Sequence, residues 1–119
     1  MLVSFNLPMP PSTNALYANV PGKGRVKTAR YKVWIDEAGW ELKRQWTPVP
    51  HLSGRVSMVV SLSLEARIDF DNIKAIGDLL KRMGVLDDDK QIRDLHVIEG
   101  LLSKNIVNVA LRRIEERRA

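Results

Sequence analysis

The chain has no cysteine and few aromatic residues, and these shortages exclude several kinds of site. Its 119 residues include only two Phe, two Tyr and three Trp. Without cysteine there is no disulfide framework and no thiolate nucleophile. There is also no apolar run of about 18 residues, which a transmembrane helix would need. The first residues lack the basic-then-apolar order of a signal peptide. We therefore expect a cytoplasmic protein that does not cross a membrane.

The pattern of apolar residues predicts one small domain over residues 1–119. The length fits a single domain, and we find no internal repeat, low-complexity segment or linker. Periodicity predicts strand, helix, strand, helix, strand, strand. The fold class is therefore α+β, with a mixed sheet and two main helices. The predicted elements are a strand over 1–7, a helix from about Thr28 to Trp46, a strand from about Arg55 to Ile68, a helix after Asn72 that ends at Gly84, and strands over Ile92–Glu99 and Asn105–Arg113.

The three tryptophans stand at positions 34, 40 and 46, six residues apart. This spacing does not follow the helical stripe of three and four residues. At least one of them is therefore predicted to be partly exposed or to lie at an interface.

Charge is distributed unevenly along the chain. The formal net charge is +5 and the sequence pI is about 9.8, which approaches the range of nucleic-acid-binding domains. Residues 22–32 carry five basic residues and no acidic one, whereas acidic residues concentrate between Asp69 and Asp94. A basic body around an acidic cluster is typical of a metal-dependent nuclease. The alternative is that the basic excess only keeps the protein soluble.

The acidic cluster has two parts, separated by a helical pattern. Asp69 and Asp71 follow a strand-like run, so alternation predicts that both side chains share a face. Asp87, Asp88 and Asp89 follow the helix-ending Gly84. Carboxylates this close together repel unless a cation lies between them, and such hard oxygen ligands suit Mg²⁺. The helix would bring the second cluster back towards the first.

Other interpretations of the same acidic residues stay open at this point. Asp71 or Asn72 would make a good helix N-cap, and the second cluster has an ordinary turn composition. An Asp-x-Asp site that binds a sugar nucleotide is possible in principle, but a chain of 119 residues leaves little room for the domain that binds the sugar donor. An EF-hand is excluded, since its loop needs Asp or Asn at the fifth position and Gly at the sixth. Counted from Asp69, these positions hold Ile73 and Lys74.

The string DFDNIK…GDLL…GVLDDDKQI resembles the RusA family of crossover junction endodeoxyribonucleases, small Mg²⁺-dependent Holliday junction resolvases. The matching pattern is D-x-D-N, a helical Lys, a helix end, a Gly and D-D-x-Q-[IV], and PPSTN is similar to the family's P-P-S-x-N. The resemblance covers most of the chain. The positions that carry it are Asp69, Asp71, Asn72, Lys74, Asp78 to Leu80, Gly84, Asp88, Asp89, Gln91, Ile92 and, in the first motif, Pro10 to Asn14.

Two positions depart from the family pattern. The family's Lys usually comes four residues after the second Asp, whereas Lys74 comes three after Asp71. A one-residue deletion just before Lys74 explains this most simply. Ile68 stands where family members often carry a basic residue, and Arg67 is the nearest candidate for that role.

The resemblance implies catalytic roles for Asp69, Asp71, Asp89 and Lys74. The three aspartates, with Asp88 as a supplement, would hold Mg²⁺, with Mn²⁺ as an alternative, and Lys74 would neutralise developing charge. Asn72 is expected to orient Asp71 or cap the helix rather than bind metal. DNA contacts are expected from the basic loop and its neighbours, namely Lys23, Arg25, Lys27, Arg30, Arg67 and Asn14.

The resemblance implies that the partners are four-way junctions and other branched DNA, in recombination and repair, and a second copy of the chain. Two alternatives belong to other functional classes. One is a junction-binding protein in which the shifted Lys74 has abolished catalysis. The other is a basic structural or regulatory protein whose acidic residues are only caps and turns.

Overall fold

The computed structural model describes residues 2–12, 15–67 and 70–114. Asn14, Ile68 and Asp69 lie outside these ranges. No helix in the described ranges is long and apolar enough to cross a membrane. The elements are β1 (Leu2–Pro8), β2 (Tyr17–Val20), β3 (Gly24–Lys27), α1 (Ala29–Gln45), β4 (Val56–Ser63), α2 (Phe70–Arg82), a 3₁₀ turn (Asp89–Gln91), β5 (Ile92–Gly100) and β6 (Ile106–Arg113).

The main sheet has the strand order β1-β6-β4-β5. β6 runs antiparallel to both β1 and β4, and β4 runs parallel to β5. The parallel pair is possible because α2 forms the crossover that such strands require. Alternate residues of β1, β4 and β6 are buried against the helices, among them Phe5, Met58 and Val109. The predicted α+β class with a mixed sheet and two main helices is confirmed.

Helix α1 follows its predicted bounds to within one residue at each end. Thr28 caps its start, because its Oγ1 accepts a hydrogen bond of 3.2 Å from the backbone N–H of Tyr31. The buried stripe includes Trp34 and Leu42, while Trp40 is 68% exposed. The prediction that one of the three tryptophans would be exposed is confirmed.

The segment that precedes α1, where no strand was predicted, forms the hairpin β2–β3. Pro21 and Gly22 occupy the central positions of the turn, and the N–H of Lys23 donates to the carbonyl of Val20 at 3.0 Å. Gly22 has φ of 77°, which a turn with glycine at its third position requires.

The second predicted strand, from Arg55 to Ile68, ends earlier than expected. β4 ends at Ser63 rather than Ile68, because Ser63 closes a turn with its side chain and its carbonyl. Its Oγ accepts from the N–H of Glu65 at 3.1 Å, and its carbonyl accepts from the N–H of Ala66 at 3.0 Å. Helix α2 then begins at Phe70, two residues before Asn72.

Side chains from α1 and from Trp46, directly after it, bond the outer backbone groups of the edge strand β1. At β1, the Gln45 side chain accepts from the N–H of Asn6 and donates to its carbonyl, both at 2.7 Å. The indole N–H groups of Trp46 and Trp34 donate to the carbonyls of Ser4 and Pro8 at 3.0 and 2.8 Å. Helix α1 therefore covers this edge with side chains.

Candidate active site

Asp71 and Lys74 lie on one face of α2. Asp71 is in the first turn of the helix and not in an extended segment, so the strand alternation predicted for Asp69 and Asp71 does not hold at Asp71. Residues three and seven places apart in a helix share a face. Asp71, Lys74 and Asp78 accordingly line one cavity of about 270 Å³. Sequence reasoning gave Asp78 no catalytic or binding role.

The hairpin β2–β3 supplies the opposite wall of this cavity. The guanidinium of Arg25 lies 4.2 Å from the ring centroid of Tyr17, and Tyr17 packs edge-on against Tyr31 with centroids 5.6 Å apart. Burial raises the pKa of the Tyr31 hydroxyl, and Tyr17 and Asp78 raise it further. Tyr31 is therefore a neutral support for Tyr17. The wall presents a cation, Arg25, towards the face of α2 that carries Asp71.

Asn72 connects the start of α2 to the loop after β1. It is buried, and its Nδ2 donates a hydrogen bond of 2.6 Å to the carbonyl oxygen of Pro11. Since the helix begins at Phe70, Asn72 lies inside its first turn and not at the N-cap position itself. The side chain of Phe70 is 89% exposed at the start of this helix, and the sequence analysis assigned Phe70 no role.

The acidic turn before β5 is held by Gln91. Its side-chain oxygen accepts from the N–H groups of Asp87 and Asp88 at 2.7 and 3.0 Å. Its side-chain nitrogen donates to the carbonyls of Leu52 and Gly54 at 2.9 and 2.8 Å. This role was not deduced from the sequence, although Gln91 belongs to the matching motif.

Asp88 and Asp89 lie side by side at the start of the 3₁₀ turn. Asp88 caps this turn and accepts from the N–H of Lys90 at 3.0 Å. That hydrogen bond holds the pKa of Asp88 below its usual range, with further lowering from the Asp89 side chain in hydrogen-bond contact and from Lys81 and Lys90. Oδ1 of the neighbouring Asp87 is 3.1 Å from Nε2 of His51, which is exposed.

The structure places Asp89 beside the middle of α2. A Cβ built on Gly77 would lie 3.7 Å from Cβ of Asp89, an ordinary van der Waals contact, so the acidic turn packs directly against the helix. A rise of about 1.5 Å per residue puts Gly77 about 9 Å further along the axis than Asp71. Within residues 2–12, 15–67 and 70–114, no three His, Asp or Glu side chains form a group able to hold a metal.

The metal site stays a prediction, because Asp69 lies outside the described residues. Its other predicted ligands are Asp71, Asp88 and Asp89. The donors fit a hard divalent ion in kind: Asp71 is partly exposed, and Asp88 and Asp89 put two carboxyl groups together. Carboxylate oxygens of this kind, completed by water and phosphate, are the usual ligands of Mg²⁺.

Comparison with known proteins identifies the family of the chain. The family model of endodeoxyribonuclease RusA matches residues 8–112. The chain belongs to the RusA family. It is therefore an endodeoxyribonuclease by family, and the resemblance seen in the sequence is confirmed. No curated protein matches the chain in sequence. The RusA match includes the hairpin, both helices and the acidic turn.

The basic residues expected to contact DNA in this RusA-family chain occupy three regions. Lys23, Arg25 and Lys27 belong to the hairpin or its turn, Arg30 to the first turn of α1, and Arg67 to the segment before α2. All five are exposed. Asn14 lies outside the described residues. Their contacts with DNA stay a prediction.

Proposed function

We propose that this RusA-family chain resolves four-way DNA junctions by paired, symmetric, Mg²⁺-dependent phosphodiester hydrolysis, in recombination and repair in the cytoplasm. One observation carries the proposal. Asp71 and Lys74 on α2 face the same cavity as Arg25 on the hairpin. An acidic ligand for a metal and two cations for a phosphate are the groups that such a hydrolysis needs in one place.

Asp69, Asp71 and Asp89 would hold the metal, with Asp88 as a supplement. Bound there, Mg²⁺ or Mn²⁺ would supply a water of lowered pKa and a positive charge beside the scissile phosphate. The hydrogen bonds of Gln91 to the backbone of Asp87 and Asp88 would keep the acidic turn in position for this role.

Lys74 would stabilise negative charge that develops on a phosphate oxygen or on the leaving group. Its place three residues after Asp71 is not an obstacle to this role. In a helix, residues three and four places apart lie on the same face, and Lys74 lines the cavity with Asp71. The shared helix face and the shared cavity therefore support the view that Lys74 takes the role of the family's lysine from a position shifted by one residue.

The exposed cations on the hairpin and next to the helices would bind the DNA backbone. Such contacts release counterions from phosphates and so supply affinity without sequence preference. Asn14 in the P-P-S-x-N motif would join them. Two symmetric cuts in one junction require two active sites, and two copies of the chain provide them.

Cleavage of a synthetic four-way junction in Mg²⁺ tests the proposal, with linear duplex as the comparison substrate. We expect paired nicks in the junction only, and a fall of about a hundredfold or more in Asp71→Asn, as for loss of one stabilising group in an active site. Asp36→Asn, an exposed aspartate of α1, is the matched control and should keep its activity.

Two other results would each remove the proposal. Tight, selective binding of the junction without nicks would favour a junction-binding protein that has lost catalysis. Equal binding of duplex and junction, with no dependence on metal, would favour a basic structural protein.

A further inference from the structure

Phe70 carries an aromatic ring into solvent at the point where α2 begins. Its side chain is 89% exposed, whereas Phe5, the other phenylalanine of the chain, is buried in the core. An aromatic ring has two apolar faces, and burying them against another flat ring contributes affinity. Phe70 is therefore a side chain that gains from contact with a binding partner and adds nothing to the core.

The helix places this ring beside the residues proposed for catalysis. Phe70 immediately precedes Asp71, and Lys74 lies one turn further along the face of Phe70, because residues four apart in a helix are neighbours. The distance between them along the helix axis is about 6 Å, at a rise of about 1.5 Å per residue. This is close to two base steps of about 3.4 Å in a DNA strand. The ring can therefore reach a base within about two nucleotides of a phosphate held at Lys74.

The same face of α2 continues to the acidic turn. Gly77 lies seven residues after Phe70, on the face of Phe70 and Lys74, and it is the residue of α2 that Asp89 contacts. An aromatic ring, a cation and a candidate metal ligand therefore follow one another along a single face of the helix.

The charges on either side of Phe70 suit a nucleic acid. Arg67 comes three residues before it and Lys74 four residues after it, and both are exposed. Proteins that hold unpaired nucleotides combine cations that bind the phosphates with aromatic rings on which the bases stack. A ring between two cations next to a candidate hydrolytic site is therefore suited to a base, and not to an apolar surface alone.

We propose that the ring of Phe70 stacks on a base at the branch point of the DNA and thereby makes the protein prefer branched over linear DNA. In a linear duplex each base is stacked on both sides, so exposing one face costs unstacking energy. That cost is smallest where a base is already unpaired. The ring accordingly contributes affinity at a branch and little on a duplex. The inference rests on the proposed function, because it takes branched DNA as the substrate.

Binding of a four-way junction and of a linear duplex, measured by fluorescence anisotropy without metal, tests this role. Phe70→Ala should raise the dissociation constant for the junction about tenfold, as for the loss of one stack between a base and an aromatic ring. Its dissociation constant for the duplex should change by less than about twofold, because phosphate contacts supply that affinity. Phe70→Trp keeps a flat ring and should stay within about threefold of the wild type on both DNAs.

Trp40→Ala is the matched control. Trp40 is also an exposed aromatic residue of a helix, but it lines a cavity with Arg82 at the other end of α2, about 18 Å along the axis from Phe70. Glu37 and Glu41 lie on the face of Trp40 and repel phosphates. This variant should leave both dissociation constants unchanged.

A 2-aminopurine base at the branch point provides a second measurement. Its emission is quenched when it stacks on neighbouring bases and recovers when it leaves that stack. Saturating wild-type protein should raise the emission, and saturating Phe70→Ala should not. This measurement reports the base itself, so it separates stacking from a general loss of affinity.

Three results would each overturn the inference. Affinity that is unchanged in Phe70→Ala would remove Phe70 from the DNA-binding surface, and an equal loss on junction and duplex would make it a general contact. A different mass of Phe70→Ala in sedimentation would place the ring at a protein interface instead. None of these results depends on cleavage. Stacking by Phe70 in a protein that does not cut junctions would contradict the proposed function alone.

Discussion

The side-chain amide of Asn72 donates a 2.6 Å hydrogen bond to the carbonyl oxygen of Pro11, 61 residues earlier in the chain. Asn72 belongs to the D-x-D-N motif and Pro11 to the P-P-S-x-N motif. Two motifs that are far apart in the sequence are thus joined directly, in the first turn of the helix that carries Asp71. A buried polar contact of this kind fixes how the loop after β1 lies against α2.

Asn72→Asp should destabilise the fold. The carboxylate cannot donate, and it would meet the carbonyl of Pro11 at a site that is 4% exposed. A buried polar group that loses its partner costs about 1–3 kcal/mol, and more when it is charged. Urea unfolding measures the change. The same substitution at the exposed Asn19 of the hairpin should stay within about 0.5 kcal/mol of the wild type, and an equal effect at both positions would show that the contact is unimportant.

Gln91→Glu should loosen the acidic turn while leaving every candidate ligand in place. The new carboxylate still accepts from Asp87 and Asp88, but it meets the carbonyls of Leu52 and Gly54 with no hydrogen to donate. We expect a loss of about 1–3 kcal/mol in stability and a fall in junction cleavage larger than the fall in junction binding. Lys90→Gln, next to it in the same turn, is the control. If cleavage is unchanged in Gln91→Glu, the turn does not need this anchor.

Arg25→Ala should weaken binding of junction DNA and also its dependence on salt. One phosphate contact fewer should lower the slope of log affinity against log salt by about 0.9. Fluorescence anisotropy over a salt series, in a buffer without metal, measures both quantities. Lys43→Ala, at the last turn of α1, should leave the slope unchanged, and equal slopes for Arg25→Ala and the wild type would remove Arg25 from the DNA-binding surface.

The ion pair of Glu41 and Arg44 predicts a pH dependence of stability. Oε2 of Glu41 lies 2.7 Å from Nη2 of Arg44, and the hydrogen bond from Arg44 lowers the pKa of Glu41 below its usual value. A lowered carboxyl pKa stabilises the fold above the usual value and ceases to do so as the pH falls through the folded-state value. The coupling in a double-mutant cycle of Glu41→Gln and Arg44→Gln should therefore be favourable at neutral pH and disappear in acid. Coupling that does not change with pH would contradict this.

Regular patterns in the sequence predicted the long elements well. The apolar stripe of α1 and the apolar alternation of β4 each run over several repeats. The pattern of burial therefore determines whether each element is a helix or a strand, and most of its length. The hairpin was missed because its strands have four residues each, too few for alternation to show, and only Pro21-Gly22 indicated it. The end of β4 was missed because the side chain of a single residue, Ser63, closes the turn there.

The candidate site was predictable in its residue types but not in its arrangement. Helical spacing is enough to put Lys74 on the face of Asp71. The approach of Arg25 to that face depends on how the hairpin packs against α2, which no local pattern encodes. The same holds for Asp89, whose approach to α2 near Gly77 depends on how the acidic turn packs against the helix.

The side chains of α1 that cover the outer edge of β1 have a consequence for self-association. Backbone groups that are already bonded to side chains cannot pair with a strand of another molecule, so the main sheet cannot extend past β1. Gln45 is the residue whose loss would first open that edge to aggregation.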